Sequence, residues 1–159
     1  MSDSVPAPFR VFLVVVDESQ EMRNALRFAC RRARHSGGRV ALLHVIEPVG
    51  FQEWLGVGRR IEEEARAEAE RRLQQLAGEV VRQTGHLPAL HLREGDLAAE
   101  LLQVLQDSPE ISLLVLGTAP EGGNPGPLVS YVIANSKTFP VPVTLVPGLL
   151  TQEQIDALS

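Results

Sequence analysis

The sequence has a single cysteine, Cys30, which excludes an internal disulfide and is compatible with a reducing compartment. No apolar run approaches the roughly 20 residues that a membrane-spanning helix needs. The polar, proline-bearing start, residues 1–8, lacks the apolar core of a signal peptide. The formal net charge of -5 argues against binding to nucleic acid or to an anionic membrane. These absences predict a cytoplasmic protein that binds neither membranes nor nucleic acids.

Catalytic and metal-binding patterns are also missing. There is no Walker motif, and Ser130 has neither a Gly-x-Ser-x-Gly turn around it nor a histidine–acid pair to activate it. His44 and His91 have no cysteine or carboxylate at metal-ligand spacing, so both are interpreted as structural histidines with satisfied hydrogen bonds. Cys30 lies among apolar residues at helical spacing, which favours a core position over a reactive thiol. We therefore predict no catalytic set and no bound metal.

What the sequence does contain is a regular alternation of strand and helix patterns. The 159 residues suit one domain, and 44% of them are hydrophobic, which is enough to fill a core. Continuous apolar runs predict strands that are covered on both faces, and helical spacing fills the segments between them. This order predicts an α/β fold with a parallel sheet and helices on both faces. The predicted strands are Val11–Val16, Val40–Ile46, Leu87–Leu92, Leu113–Leu116 and Val141–Val146, and the predicted helices lie at about 20–35, 60–84, 97–105 and 128–138.

The end of the chain reads as a separate small unit. Thr151 and Gln154 have capping-box spacing, and Ile155 and Leu158 would pack a short terminal helix on the domain or on a partner. We therefore divide the chain into three parts. They are a flexible lead (1–8), one α/β domain (9–147) and a tail with a short helix (148–159).

Ligands of doubly wound sheets bind beyond the carboxyl ends of the strands, which directs attention to the turns at 17–19, 46–48 and 117–127. Asp17, at the end of the first strand, suits two uses that do not exclude each other. It can bind hydroxyl groups of a ligand, or it can cap the helix that follows. The glycine-rich turn and helix after the fourth strand form a layout in which an anion can meet backbone N–H groups.

Four segments of the chain, taken in order and at their spacing, resemble the universal stress protein family. They read VVVDESQEMRNAL, ALLHVIEP, REGDLAAELLQ, and LLVLGT followed later by PVPVTLVP. The resemblance covers about 9–147. It implies a Rossmann-like fold of the adenine nucleotide alpha hydrolase-like kind, with a five-stranded sheet in the order 3-2-1-4-5. It also implies a homodimer through the last strand, Val141–Val146, where Pro142 suits an edge position.

The resemblance further implies positions for an adenine nucleotide. Asp17 matches the acidic residue that faces the adenosine, and Val45 matches the position beside the adenine. Gly117 matches the first glycine of the family's phosphate motif, and Ser130 matches its hydroxyl residue. The whole implied set is Val15, Asp17, Val45, Leu116, Gly117 and Ser130.

The phosphate part of that motif is interrupted in this chain. Pro120 stands at the second glycine and removes a backbone donor, and Val129 stands at the third and adds a β-branched side chain. The interval between them is one residue short of the family's. Glu121 is the only charged residue between Gly117 and Ser136, whereas a triphosphate usually meets Lys, Arg or a metal.

Two main hypotheses follow for function. The first is a regulatory or stress-response dimer whose adenine-nucleotide pocket is degenerate, so that no cofactor is certain and any nucleotide binds weakly or not at all. The alternative is an ATP- or AMP-binding switch in which Gly122, Gly123 and Gly126 rebuild the phosphate loop instead of being ordinary loop residues. A hydrolase of related fold is a third hypothesis, with Asp17 as its only visible acid or base.

Overall fold

The computed structural model describes residues 9–48 and 58–159. Strands and helices alternate along these ranges. The strands are β1 (Val11–Val15), β2 (Arg39–Ile46), β3 (Ala89–Glu94), β4 (Ile111–Thr118) and β5 (Val143–Pro147). The helices are α1 (Gln20–Ser36), α2 (Gly58–Thr84), α3 (Leu97–Asp107), α4 (Pro127–Ala134) and α5 (Gln152–Leu158). From sequence, Phe51, Trp54 and Leu55 could form a lid over a pocket or pack against a partner subunit, and packing is favoured. These residues lie outside the described ranges, as does the predicted lead.

The strands form one parallel sheet in the order β3-β2-β1-β4-β5, so the predicted fold class and strand order are confirmed. β1 lies at the centre and pairs with β2 and β4. Every residue of β1 is buried, as the continuous apolar run predicts for a strand covered on both faces. β3 and β5 are the two edges of the sheet.

Alternate side chains of β1 enter two separate cores. On one face, Phe12 and Val14 pack in a cluster with α1 and α2. On the other face, Leu13 and Val15 pack in a cluster with α3 and α4. The period-two alternation of a strand and the helical spacing of the helices thus bury apolar residues on both sides of one sheet.

Several predicted helix ends are confirmed by their capping contacts. Ser19 is the N-cap of α1, and its Oγ accepts a hydrogen bond of 3.2 Å from the backbone N–H of Met22. Gly37 ends the helix with φ of 71°, a conformation that favours glycine. Asp96 caps α3 by accepting a hydrogen bond of 3.0 Å from the N–H of Ala99.

Several predicted boundaries differ from the structure. β4 extends two residues further at each end than expected, and two strands start later than expected, after prolines. β3 starts at Ala89, after Pro88, and β5 starts at Val143, after Pro142, because a proline has no N–H to donate to the sheet. Pro142 thus precedes the edge strand, and its carbonyl accepts a 3.0 Å bond from the N–H of Leu114. α4 ends at Ala134, where Asn135 is its C-cap, and does not continue to about 138 as expected.

The amino end of β1 is held by polar contacts. The N–H of Val11 donates to Ser112 Oγ at 3.0 Å, beside a shift in the pairing of β1 with β4. The N–H of Arg39 donates to the carbonyl of Arg10 at 2.7 Å. Gly38 allows this approach, because a Cβ there would lie 2.7 Å from the same carbonyl oxygen.

The short helix α5 packs on α1 of its own chain. The capping box of Thr151 and Gln154 is present, which confirms the predicted helix start. Ile155 is fully buried, whereas Leu158, which was also expected to pack, is 68% exposed. Asp156 receives two hydrogen bonds of 2.8 Å from Arg27 on α1.

The link between β5 and α5 is also tied to α1. The side-chain amide of the buried Asn24 donates to the carbonyls of Pro147, Gly148 and Leu150 at 3.1–3.2 Å.

No helix in the described parts of the chain is long and apolar enough to cross a bilayer.

Candidate functional site

A cavity of about 450 Å³ lies where β1, β2 and β4 end. The first turns of α1, α3 and α4 and part of α2 close around it. This is the edge at which parallel sheets of this topology bind ligands. Its apolar side chains are Val15, Val16, Met22, Val45, Ile46, Ala65, Leu97, Leu116, Leu128 and Val129. Its polar side chains are Asp17, Ser19, Glu21, His44 and Glu47.

The structure brings five of the six residues implied by the resemblance to this cavity, namely Val15, Asp17, Val45, Leu116 and Gly117. Ser130 is not part of the lining. It is exposed on α4, where its Oγ lies 3.4 Å from Asn124 Oδ1 and its N–H donates to the carbonyl of Gly126. A ligand role for Ser130 therefore stays a prediction.

Gly117 has a structural reason to be glycine. A Cβ at this position would overlap the backbone carbonyl of Glu21 in α1, so the glycine lets α1 pack directly against the end of β4. The sequence could not separate this packing role from a ligand-binding role, because the same glycine also lines the cavity.

Asp17 holds Ser19, the N-cap residue of α1, and faces the cavity at the same time. Its Oδ1 accepts hydrogen bonds from the N–H of Ser19 at 2.7 Å and from Ser19 Oγ at 2.5 Å. Both bonds use Oδ1, so a ligand hydroxyl bound by Oδ2 would not disturb the cap. The capping and ligand-binding interpretations of this residue remain compatible.

Arg72 reaches the site from α2, and sequence reasoning missed it. Its Nη2 donates to the carbonyl oxygen of Asp17 at 2.8 Å, and its buried Nε has no hydrogen-bond partner within the described residues. From sequence, the charged residues at 59–72 are interpreted as a solvated helix face, but Arg72 is half-buried and contacts Asp17. The only available signal is its place beside Leu73, a buried residue of the apolar stripe.

His44 lines the cavity with an unsatisfied ring nitrogen, so the interpretation of a satisfied structural histidine is not correct for it. Its Nδ1 is buried and has no hydrogen-bond partner among the residues described. Burial lowers the pKa of His44, and the charge of Arg72 adds to this effect. His91 on β3 likewise has an unpartnered Nε2 and a pKa lowered by burial, but it lies outside the cavity lining.

Two backbone N–H groups of the loop before α4 donate hydrogen bonds within the loop itself. The N–H of Ala119 donates to the carbonyl of Pro125 at 3.0 Å, and the N–H of Gly126 donates to Asn124 Oδ1 at 2.9 Å. Pro125 and Pro127 line the cavity but have no N–H to offer. Of the three glycines that were candidates for a rebuilt phosphate loop, only Gly126 lines the cavity.

The remaining sequence candidates have structural roles. Cys30 is fully buried in the core, as predicted, and burial raises the pKa of its thiol to about 12. Within the described ranges, no three histidine, cysteine or carboxylate side chains are grouped so that they could hold a metal ion.

The fold and the cavity can now be compared with known proteins. A sequence model of the universal stress protein family matches residues 8–147. The chain belongs to the universal stress protein family. No curated protein sequence matches it significantly.

Solved universal stress proteins share the fold. UspA from Lactobacillus plantarum is 20% identical, with a TM-score of 0.73 over 88% of this chain and 99% of that one. The protein from Archaeoglobus fulgidus in complex with dAMP is 23% identical, with a TM-score of 0.60 over 87% and 97%. A family protein from Arabidopsis thaliana with AMP bound is 15% identical, with a TM-score of 0.62 over 87% and 91%.

Proposed function

We propose that this universal stress protein is a regulatory stress-response protein whose cavity binds the adenosine part of an adenine nucleotide and gains little from the phosphates. The observation that carries the proposal is the cavity of about 450 Å³ at the ends of β1, β2 and β4, with Asp17 on its lining. This volume lies in the range of small-molecule sites, roughly 300–1,000 Å³. Two structural neighbours of low sequence identity hold AMP or dAMP.

The chemistry of the lining suits a nucleoside. Val15, Val45 and Leu116 offer an apolar surface to a flat base, and the carboxylate of Asp17 can accept hydrogen bonds from ribose hydroxyls. The loop before α4 offers less to a phosphate chain, since its prolines lack N–H groups and Glu121 is its only charge. This favours a pocket that is degenerate on its phosphate side.

In this proposal the protein acts as a homodimer through β5 and catalyses no reaction. β5 is an edge strand, and its side chain Leu145 is 41% exposed. Two other apolar side chains that lie nearby in the chain are also exposed, Ile133 at 61% and Leu149 at 75%. Exposed apolar residues beside an unpaired strand edge suit pairing with a second copy. Sedimentation should give a dimer at micromolar concentration, and Leu145→Glu should shift it towards the monomer.

The single cysteine favours a cytoplasmic location.

A second candidate is an ATP- or AMP-binding switch. The observation in its favour is that the start of α4, with Gly126 and Leu128, opens on the cavity, so that its free N–H groups and helix dipole point towards a ligand there. In this case Mg-ATP should bind more tightly than adenosine, because the phosphates would add contacts.

Thermal unfolding with adenosine, AMP and ATP, each with and without Mg²⁺, tests both candidates. A ligand at about 1,000 times its dissociation constant stabilises the folded state by about 4 kcal/mol. Adenosine should raise the melting temperature of the unchanged chain and have little effect on Asp17→Ala. Glu18→Gln is the matched control, since Glu18 neighbours Asp17 but does not line the cavity. The absence of any shift with all three ligands would contradict both candidates, and phosphate release from ATP would favour the hydrolase.

A further inference from the structure

The charged side chains that line the cavity are all acidic. Asp17, Glu21 and Glu47 lie on the lining, and within the described residues no lysine or arginine does. The segments 1–8 and 49–57 contain no lysine or arginine in their sequence. Arg72 is a cation near the site, but it is not part of the lining, and its Nη2 donates to the carbonyl of Asp17.

The one lining side chain that could become a cation is held neutral. Burial lowers the pKa of His44 below its ordinary value of 6.5, and the nearby charge of Arg72 lowers it further. The backbone hydrogen bond with Val16 and the carboxylates of Asp17 and Glu18 act in the opposite direction, and the net effect is a lowered pKa. The lowered pKa favours the neutral imidazole, whose buried Nδ1 has no hydrogen-bond partner in the described structure.

Beyond the free N–H groups at the start of α4, the loop before this helix offers few backbone donors to an anion. The N–H groups of Ala119 and Gly126 are engaged within the loop, and the prolines at 120, 125 and 127 have none. A phosphate group, which carries about -1.5 to -2 charges at pH 7, would thus enter a site with three carboxylates and few free donors.

We propose that the cavity takes an uncharged purine nucleoside and discriminates against its 5′-phosphorylated forms. The inference rests on the proposed function and names its ligand class. The hydroxyls of a nucleoside donate to carboxylates, whereas a 5′-phosphate meets like charge in the same space. The acidic lining thus makes the cavity selective for the uncharged ligand.

Calorimetric titration of the full chain at pH 7.5 with adenosine and with AMP tests the inference. Adenosine should bind at least about tenfold more tightly than AMP, because only AMP brings a second negative group to the carboxylates. Raising the salt concentration from about 20 to about 300 mM should strengthen AMP binding, since salt screens repulsion. A basic phosphate site would show the opposite dependence.

Charge-neutralising variants supply the second measurement. In Glu21→Gln and Glu47→Gln the ratio of the AMP to the adenosine dissociation constant should fall at least about threefold, since each removes one repelling charge. Glu153→Gln, an exposed position on α5 outside the lining, should leave the ratio unchanged. AMP binding as tight as adenosine, or weakened by salt, overturns this inference but leaves the proposed function standing. Failure of adenosine, AMP and ATP alike to bind overturns both.

Discussion

Replacing Ile155 by alanine should destabilise the protein through the docking of α5 on α1. The side chain is fully buried, and truncation of a buried isoleucine costs about 2–5 kcal/mol through lost burial and the space left behind. The lower half of this range is expected, because a detached α5 leaves the sheet intact and the loss cannot exceed the docking free energy. The Arg27–Asp156 pair adds little to that free energy, since both side chains are 31% exposed and such pairs contribute about 1 kcal/mol or less.

Urea unfolding followed by circular dichroism measures the effect. A loss of about 2–3 kcal/mol moves the midpoint by about 1 M for a slope of about 2–3 kcal/mol/M. The same loss lowers the melting temperature by about 4–12 °C in a chain of this length. Leu158→Ala is the matched control on the same helix, and it should change stability by less than about 0.5 kcal/mol because Leu158 is exposed. Equal effects of the two substitutions would refute the burial of Ile155 against α1.

Two further predictions concern the site and the α1–α5 contact. Gly117→Ala should destabilise the fold by about 1–3 kcal/mol, because its Cβ overlaps the carbonyl of Glu21. Gly123→Ala, where a Cβ meets open space, should leave thermal unfolding nearly unchanged, and a neutral result for both would refute the close packing. The hydrogen bonds from Arg27 lower the pKa of Asp156 below its ordinary value of 3.8. The ionised Asp156 therefore stabilises the folded state above pH 3.8, and this stabilisation is lost as the pH falls through the pKa of the folded state. In acid titrations the stability gap between the unchanged chain and Asp156→Asn should therefore close below that value, and a gap that persists at lower pH would contradict the assignment.

The fold was largely predictable because its information is local. The apolar run at the start of the domain indicates a strand buried on both faces, and β1 is buried at every position. Ser19 and Asp96 cap the helices that follow them through contacts within three residues, so these helix starts depend on local sequence alone. β3 and β5 start two residues later than expected, because Pro88 and Pro142 have no N–H to donate to the sheet.

The site was less predictable because it is made by contacts between distant segments. Arg72 reaches Asp17 across 55 positions of sequence, and only its place beside Leu73 separates it from the other charges of the helix. The unsatisfied nitrogen of His44 depends on which groups surround it in space, and a histidine in a strand pattern does not reveal them. The resemblance located five of the residues that line the cavity, but it did not reveal that the charges on the lining are acidic.

The polar contacts at the amino end of β1 have a consequence for the opposite end of the sheet. Because both faces of β1 are apolar, a slip by one residue would still bury hydrophobic side chains, and hydrophobicity alone specifies the alignment weakly. The contacts of Val11 with Ser112 and of Arg39 with Arg10 distinguish the correct alignment from the slipped one. At about 3.3 Å per residue, they fix the depth of the Asp17 carboxylate from roughly 20 Å away. The position of Asp17 in the site is thus set by contacts at the opposite edge of the sheet.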